Sequence, residues 1–332
     1  MLCRAPCMLL AASLVVAWPA RGADSAKAKD QLARRPLSVL LFTAGPTREY
    51  QFVRTVFVRE TGRHRANVSI YLQGSRANSV QDVPPERMLK RFPSTFRDHE
   101  AKGESAYDNL AQYDVIIAFD PDWTGLTREQ LRLLERWVNK RGGGLIVVGG
   151  PVHTYQLARG AQRDRLKPVL DLLPVIVEDM RLDDGASNRS AEAAWLLHFP
   201  GATKKMEFLK LHEKGHEPLA GWEEFFFGPG GNKDRGKKPA SRGFYGYYPV
   251  KGAKASATVV ATFSDPRARL GNGQDQPYLV SMSYGKGRTV WLGSGEMWRL
   301  RQYRESCYER FWTGLARYAG SGSLSPKAAR QR

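Results

Sequence analysis

Hydrophobic runs alternate with amphipathic stretches through the first half of the chain. Residues 37–43 (LSVLLFT) and 115–119 (VIIAF) are continuous apolar runs, which is typical of strands buried on both faces. Residues 67–72 (NVSIYL) alternate as a further strand, and residues 47–60 carry apolar side chains at helical spacing. Strands and helices that alternate in this way predict an α/β fold with a mostly parallel central sheet.

The clearest helix and strand lie near the middle of the chain. Thr127 and Gln130 have the spacing of a capping box, in which each side chain satisfies a free backbone N–H at the helix start. Gly142 supplies the left-handed position that commonly ends a helix. Residues 145–148 then predict a buried strand, which opens into the Gly-Gly-Pro turn of residues 149–151.

A second well-defined block lies near the end of the chain, after a long stretch with a looser pattern. Residues 278–284 and 289–292 predict a hairpin, and the strand after the turn ends just before Ser294 and Glu296. A last helix is predicted over residues 303–318, where apolar side chains recur every four residues.

The two blocks are expected to meet at one cleft, because ligands gather outside the carboxyl ends of the strands in open α/β sheets. We expect the residues at these strand ends to contact a ligand or partner. They are Asp120, Asp122, Trp123, Gly149, Gly150, His153, Ser294, Glu296 and Trp298.

Four of these positions have two interpretations. Asp120 and Asp122 could bind a metal or sugar hydroxyls beside a stacking Trp123, or they could form the turn while the indole covers the helix end. His153 is the histidine best placed to enter the cleft as a base, although a lone histidine is more often a hydrogen-bonded loop residue.

The first 22 residues have the order of a secretory signal peptide. Arg4 is followed by an apolar run of about ten residues and by small residues that suit cleavage after Gly22. The run is shorter than the ~20 residues that span a bilayer. We therefore expect a linker over residues 23–35 and a periplasmic or secreted mature protein. Two of the three cysteines leave with the signal peptide, so Cys307 has no partner for an intramolecular disulfide.

The chain is strongly basic, with 51 Lys and Arg against 33 Asp and Glu and a net charge of +18. Removal of residues 1–22, which contain two arginines and no acid, lowers the charge by two, to +16. This balance favours acidic partners, so binding to an anionic cell-envelope polymer is one interpretation. The basic residues are interleaved with acids, which favours a solvated surface instead. Export argues against nucleic acid.

Two short motifs suggest cofactors, but their context argues against both. Residues 212–216 (HEKGH) match the HExxH zinc motif, yet Gly215 lies inside the required helix and Pro218 follows closely. Residues 231–238 (GNKDRGKK) have the GxxxxGK spacing of a phosphate-binding loop, but Lys238 stands where a Ser or Thr is needed. We predict neither a metal nor a cofactor.

Two long segments resemble the glutamine amidotransferase-like domains of bacterial exported and membrane proteins. These are YDVIIAFDPDWTGLTREQLRLLERWVNKRGGGLIVVGGP and YGKGRTVWLGSGEMWRLRQYRESCYERFWTGLARYA. The resemblance implies a class I glutamine amidotransferase-like domain over residues 36–319, a flavodoxin-like three-layer sandwich with an irregular insertion at about 180–255. A disordered basic tail is expected over residues 320–332. The resemblance also implies an envelope membrane-protein partner with von Willebrand-type modules.

The catalytic positions of that family are degenerate in this chain. Active members carry a cysteine at a sharp turn after one strand and His-x-Glu after a later one, where this chain has Gly150-Pro151 and Ser294-Gly295-Glu296. Without the cysteine the thioester of glutamine hydrolysis cannot form. We therefore predict a non-catalytic module for ligand binding or protein assembly. The alternative is a carbohydrate-active or metal-dependent hydrolase of the trehalose-utilisation type that uses Asp120, His153 and Glu296.

Overall fold

The computed structural model describes residues 35–74, 82–96, 106–177, 193–212, 217–228 and 242–323. The predicted signal peptide, nearly all of the linker, the last four residues of the HEKGH motif and the whole GNKDRGKK motif lie outside the described residues. Within the described part of the chain, no helix combines the length and apolar character needed to cross a membrane.

A large mixed sheet forms the centre of the molecule, and helices cover both of its faces. The strands are β1 (Leu37–Thr43), β2 (Ala66–Leu72), β3 (Met88–Leu89), β4 (Val115–Phe119), β5 (Gly144–Val148), β6 (Val175–Val177), β7 (Leu197–His198), β8 (Val250–Ala253), β9 (Ala257–Phe263), β10 (Gln276–Tyr284) and β11 (Gly287–Leu292). The α-helices are α1 (Arg48–Gly62), α2 (Arg128–Arg136), α3 (Arg163–Leu172), α4 (Ala220–Phe227), α5 (Arg299–Tyr303) and α6 (Glu305–Ala319).

The strand order confirms the predicted fold class. The central sheet runs β3-β2-β1-β4-β5-β11-β10-β9-β7, and β6 pairs with β8 in a separate small sheet. All pairs from β3 to β11 are parallel, whereas β10, β9 and β7 extend the sheet in antiparallel fashion. The order β2-β1-β4-β5-β11 corresponds to the 2-1-3-4-5 order of flavodoxin-like folds, which places ligands at the carboxyl ends of these strands.

The sheet separates two apolar cores, as the continuous apolar strands predict. Val39 and Leu41 of β1 pack with α1 and α6 on one face, while Leu40 and Phe42 pack with α2 and α3 on the other. Alternate residues of a strand point to opposite faces, so a strand buried on both sides must be apolar throughout.

The predicted helix caps are present at both ends of the middle helix. Gln130 N donates to Thr127 Oγ1 at 3.2 Å, and Thr127 N donates to Gln130 Oε1 at 2.9 Å. A π-helical turn (Trp137–Arg141) follows α2, and Gly142 ends it with φ of 86°. At that φ a side chain would be strained, which is why the chain has glycine there.

The described part of the expected insertion is more ordered than its sequence suggests. It contains α4, whose Trp222, Phe225 and Phe226 are buried in the main core against Phe244. Their spacing places these three rings on one face of the helix. The prediction of an irregular segment is therefore wrong for this part.

Both ends of the described domain meet beside Asp114, which precedes β4. Its carboxylate accepts hydrogen bonds from Arg35 Nη2 at 2.5 Å, Ser38 N at 2.9 Å and Ser323 Oγ at 2.8 Å. A 3₁₀ turn (Gly320–Gly322) leads from α6 to this contact. The ordered domain thus continues to Ser323 rather than ending at Ala319, and the rest of the predicted tail lies outside the described residues.

Candidate functional site

A cleft of about 570 Å³ lies at the carboxyl ends of the parallel strands. It is lined by Thr47 and Glu49 and by residues 119–120, 148–152, 246–248 and 293–296. The turns after β5 and β11 both contribute to it, because these two strands are parallel neighbours. The expectation that they face one cleft is therefore confirmed.

The structure brings five of the nine predicted residues to the cleft. Those that line it are Asp120, Gly149, Gly150, Ser294 and Glu296. Those that do not line it are Asp122, Trp123, His153 and Trp298.

Asp120 holds the turn that follows β5. Its carboxylate accepts hydrogen bonds from the backbone N–H groups of Val152 at 2.8 Å, His153 at 3.1 Å and Thr154 at 2.8 Å, and from the Thr154 hydroxyl at 2.8 Å. Asp120 itself has φ of 38°, a conformation that few non-glycine residues adopt. Strained backbone of this kind clusters at binding sites, where the surroundings fix it.

Gly149 and Gly150 are glycines because the chain is crowded there. A Cβ at Gly150 would lie 2.5 Å from Asp120 Oδ2, and one at Gly149 would lie 2.9 Å from the Trp291 ring. Position 150 therefore has no room for a side chain while Asp120 holds the turn.

Asp122 and Trp123, which follow Asp120, stabilise the local turn and do not line the cleft. The Asp122 carboxylate accepts hydrogen bonds from Thr124 N and Gln156 Nε2, both at 2.9 Å. Burial acts to raise the pKa of Asp122, but these hydrogen bonds outweigh it and the pKa is lowered. The Trp123 ring is buried edge-on against Phe42. The turn-forming interpretation is thus correct for Asp122 and Trp123, and the stacking role is wrong.

His153 is held outside the cleft by a neighbouring side chain. Its Nδ1 lies 3.4 Å from Gln156 Nε2, which also donates to Asp122. Only the backbone N–H of His153 contacts a carboxylate of the cleft, that of Asp120. The prediction that the imidazole enters the cleft is wrong, because Asp120 binds the backbone of this turn.

Ser294 faces the cleft, but its hydroxyl is bound by a tyrosine. Tyr278 Oη and Ser294 Oγ are 2.5 Å apart, and Tyr278 is fully buried in β10. Burial raises the pKa of Tyr278 well above its ordinary value. A phenol that keeps its proton cannot act as the base that activates a serine.

Glu296 positions the cleft wall that carries Tyr247 and Tyr248. Its Oε2 accepts hydrogen bonds from the backbone N–H groups of Tyr245 at 2.6 Å and Gly246 at 3.1 Å. Its Oε1 accepts one from Arg299 Nη2 at 3.1 Å. The partners of Glu296 are therefore two backbone amides and an arginine.

Trp298 lies beside the cleft, between two arginines. The guanidinium carbons of Arg48 and Arg299 lie 4.5 and 4.6 Å from its ring centroid, which is cation–π distance. Its ring therefore serves to pack these arginines, and its predicted place in the cleft lining is wrong.

Glu49 is an acidic cleft residue that the sequence interpretation missed. It lies in the first turn of α1, and only 1% of it is exposed. Burial raises its pKa to about 7, and the nearby charge of Glu296 acts in the same direction. An acid in the first turn of a helix usually indicates only a favourable helix dipole. The available signal was its place just after the tip of β1.

These features define an open α/β protein with a flavodoxin-like sheet and a cleft at the strand tips. Cysteine and histidine are absent from the described lining of the cleft. Among the described residues, no group of three or more His, Cys, Asp or Glu is arranged to hold a metal ion.

Comparison with known proteins gives likeness of fold only. No protein-family model matches the chain, and no curated protein matches it. A cytoplasmic protein from Salmonella typhimurium LT2 is 14% identical with a TM-score of 0.45, over 85% of this chain and 99% of its own. A ThuA-like protein from Parabacteroides merdae ATCC 43184 is 11% identical with a TM-score of 0.43, over 87% and 91%. An exo-β-1,4-mannosidase from Opitutaceae bacterium strain TAV5 is 11% identical with a TM-score of 0.37, over 87% of this chain and 38% of the enzyme.

Proposed function

We propose that this chain is a non-catalytic ligand-binding module of the cell envelope with a class I glutamine amidotransferase-like domain. One observation carries the proposal: each carboxylate that lines the cleft holds backbone N–H groups in place. Asp120 holds the turn after β5, Glu296 holds the 245–246 segment, and Glu49 holds Trp298. Carboxylates used in this way build a binding surface.

The crowding at the elbow supports the same conclusion. Acyl-transfer chemistry at this position needs a nucleophile with an adjacent base. Gly150 leaves no room for a side chain, and Ser294 is paired with a protonated tyrosine. The crowding of the turn around Gly150 therefore supports a cleft without a nucleophile at this position.

The size and lining of the cleft suit a small molecule. Ligand pockets commonly measure about 300–1,000 Å³ and combine apolar walls with a few fixed polar groups. Here Phe119, Tyr247 and Tyr248 supply the apolar wall, and Gly293 and Gly295 bring backbone close to the ligand.

Thermal unfolding of residues 23–332 with a panel of compounds tests this function. The panel contains glutamine, simple sugars, divalent metal ions and cell-wall fragments, since a compound that binds only the folded protein raises Tm. Gly295→Leu serves to fill the cleft, because a Cβ at Gly295 meets Glu49 Cβ at an ordinary 3.4 Å. Gly160→Leu is the matched control, since a Cβ there meets nothing within 4 Å.

We expect at least one compound to raise Tm in the native protein and in Gly160→Leu but not in Gly295→Leu. A shift that survives in Gly295→Leu would place the ligand elsewhere. Absence of any shift would contradict the ligand-binding role and leave assembly with an envelope membrane protein, whose test is a pull-down from membrane extracts.

Export is part of the proposal and rests on the pattern of residues 1–22. Expression of the full chain in a Gram-negative host should yield a periplasmic protein whose N-terminus is Ala23. An unprocessed cytoplasmic protein would contradict it.

A hydrolase is the second candidate, and Glu49 is the observation that favours it. A buried acid with a pKa of about 7 near a second carboxylate resembles the acid–base pairs of glycoside hydrolases. This candidate predicts release of nitrophenol from aryl glycosides, with loss of activity in Glu49→Gln. No turnover across a set of such substrates would exclude it for that substrate class.

A further inference from the structure

Glu49 connects three segments of the chain beneath the cleft. Its Oε2 accepts a hydrogen bond from Trp298 N at 2.9 Å. Its Oε1 accepts one from Tyr308 Oη at 2.8 Å and one from Trp312 Nε1 at 2.9 Å. The start of α1 is thereby joined to the segment that carries Glu296 and to α6. Hydrogen bonds to an ionised acceptor are about twice as strong as neutral ones, so the charge on Glu49 sets the strength of all three.

The same three residues begin another helix in a different environment. Thr47-Arg48-Glu49 starts α1 and Thr127-Arg128-Glu129 starts α2, and both threonines cap their helices. Glu129 is exposed, whereas Glu49 lies under the cleft. The helix position is therefore identical, and the contacts of Glu49 to the rest of the fold make the difference.

Glu49 and the two tyrosines near it differ in whether they gain or lose a proton near neutral pH. Of the charged and titratable groups on the elements packed against Glu49, Glu296, Tyr278 and Tyr308 interact electrostatically with its carboxyl. Arg299 acts on Tyr278, Arg301 and Glu305 act on Tyr308, and Arg48 stacks on the Trp298 ring. Burial holds the pKa values of Tyr278 and Tyr308 well above their ordinary value, so both keep their protons near neutrality. Glu49, by contrast, has a pKa of about 7 and therefore titrates near neutrality.

We infer that Glu49 is a proton switch that tunes the cleft for ligands with an ammonium group. In the free protein, ionisation of Glu49 is opposed by burial and by the neighbouring Glu296 carboxylate. A ligand cation near both carboxylates offsets this opposition, so binding drives Glu49 to ionise and release its proton. The ionised carboxylate then accepts stronger hydrogen bonds from Trp298, Tyr308 and Trp312. The segment that contains Glu296 is thereby fixed around the ligand. This inference rests on the proposed ligand-binding function of the same cleft.

Three polyols with a six-carbon chain, which differ in the group and the charge at one end of that chain, test the inference. N-methylglucamine carries an alkylammonium that stays charged between pH 6 and 8, sorbitol is neutral, and gluconate is anionic. Affinity is measured by calorimetry on residues 23–332 at both pH values, in two buffers of different ionisation enthalpy. Because only the ionised fraction of Glu49 is competent, N-methylglucamine should bind about tenfold more tightly at pH 8 than at pH 6. Near pH 6 its binding should release close to one proton.

Variants assign the effect to Glu49. Glu49→Gln should abolish the pH dependence, while Glu129→Gln, the exposed counterpart, should keep it. The buffer comparison needs no variant, so the inference stays testable if Glu49→Gln does not fold.

The possible results distinguish failure of this inference from failure of the proposed ligand-binding function. Binding of N-methylglucamine and sorbitol alike, without pH dependence or proton release, would overturn the inference and leave the binding role intact. Preference for gluconate would overturn it too, as would binding of other compounds to the cleft while all three polyols fail. Binding of N-methylglucamine that is unchanged in Gly295→Leu would place it outside the cleft and overturn the inference.

Discussion

At the residue scale, the fate of a carboxylate in this protein depends on what packs over it. Asp120 and Asp122 are two residues apart after the same strand, yet one lines the cleft and the other caps a turn. Sequence patterns locate both at a strand tip but do not show which way each side chain faces. Glu49 shows the same limit, since its three donors lie 249 to 263 residues away in sequence.

The raised pKa of Glu49 predicts a distinct dependence of stability on pH. The folded protein keeps the Glu49 proton up to about pH 7, whereas the unfolded chain loses it near the ordinary value of 4.5. Its contribution to the free energy of unfolding is therefore fully present below pH 4.5 and is lost as pH rises to about 7. The loss amounts to about 3 kcal/mol for a shift of this size.

Denaturant unfolding of the native protein and of Glu49→Gln between pH 5 and 8 measures this contribution. The stability difference between the two should shift in favour of the variant as pH rises. Glu129→Gln, which is exposed, should follow the native curve. Parallel curves for native protein and Glu49→Gln would show that burial does not raise this pKa.

Gly150 offers a second prediction at the scale of one residue. A methyl group there would lie 2.5 Å from Asp120 Oδ2, and the Asp120 carboxylate is fixed by its hydrogen bonds to the turn. Overpacking of this kind costs about 1–3 kcal/mol, so Gly150→Ala should lower the free energy of unfolding by that amount. Chemical denaturation measures it, with Gly160→Ala as the control that should change little. Equal effects in both variants would mean that the turn relaxes freely.

At the scale of elements, the sequence predicts the strands better than the later helices. β1 and β4 have the predicted bounds, because continuous apolar runs have clear ends. The last predicted helix is two helices, α5 and α6, with Arg304 between them in extended conformation. The helix α3 was not predicted at all, since Pro168 lies inside it and proline usually interrupts a helix.

Pro168 should therefore weaken α3. Proline removes one backbone hydrogen bond and strains the preceding turn, although it also restricts the unfolded chain. Pro168→Ala is expected to raise the free energy of unfolding by about 1–2 kcal/mol, as measured by denaturant titration. Pro266→Ala is the control, because Pro266 occupies the first position of a 3₁₀ turn, where proline is well tolerated. A destabilised Pro168→Ala protein would mean that the ring packs favourably enough to offset the lost bond.

At the scale of the whole molecule, the charge of the cleft opposes that of the chain. The net charge is +18, yet the Asp, Glu, His, Lys and Arg side chains in the described lining of the cleft are all acidic, namely Glu49, Asp120 and Glu296. Elsewhere basic side chains pair with acids, as Arg59 does with Glu305 and Glu309. A ligand that binds the acidic cleft would thus be positively charged, whereas a polymer that binds the basic side chains elsewhere would be negatively charged.

The contact between Ser323 and Asp114 predicts where the chain can be shortened. Removal of residues 320–332 leaves the buried Asp114 without one of its donors and should cost about 1–3 kcal/mol. Removal of residues 324–332 alone should change the free energy of unfolding by less than about 0.5 kcal/mol. Thermal and denaturant unfolding of both truncated proteins distinguish these outcomes. Equal stability would show that the Ser323 contact contributes nothing.

Asp114 also determines how the domain can be presented. It holds Arg35 and Ser323 together at the amino ends of the strands, while the cleft opens at their carboxyl ends. A tether, fusion partner or solid support attached through either residue would therefore leave the binding face exposed. Because the two ends are neighbours, a short peptide could join them, and a circularly permuted protein with new termini in a distant loop should retain the cleft.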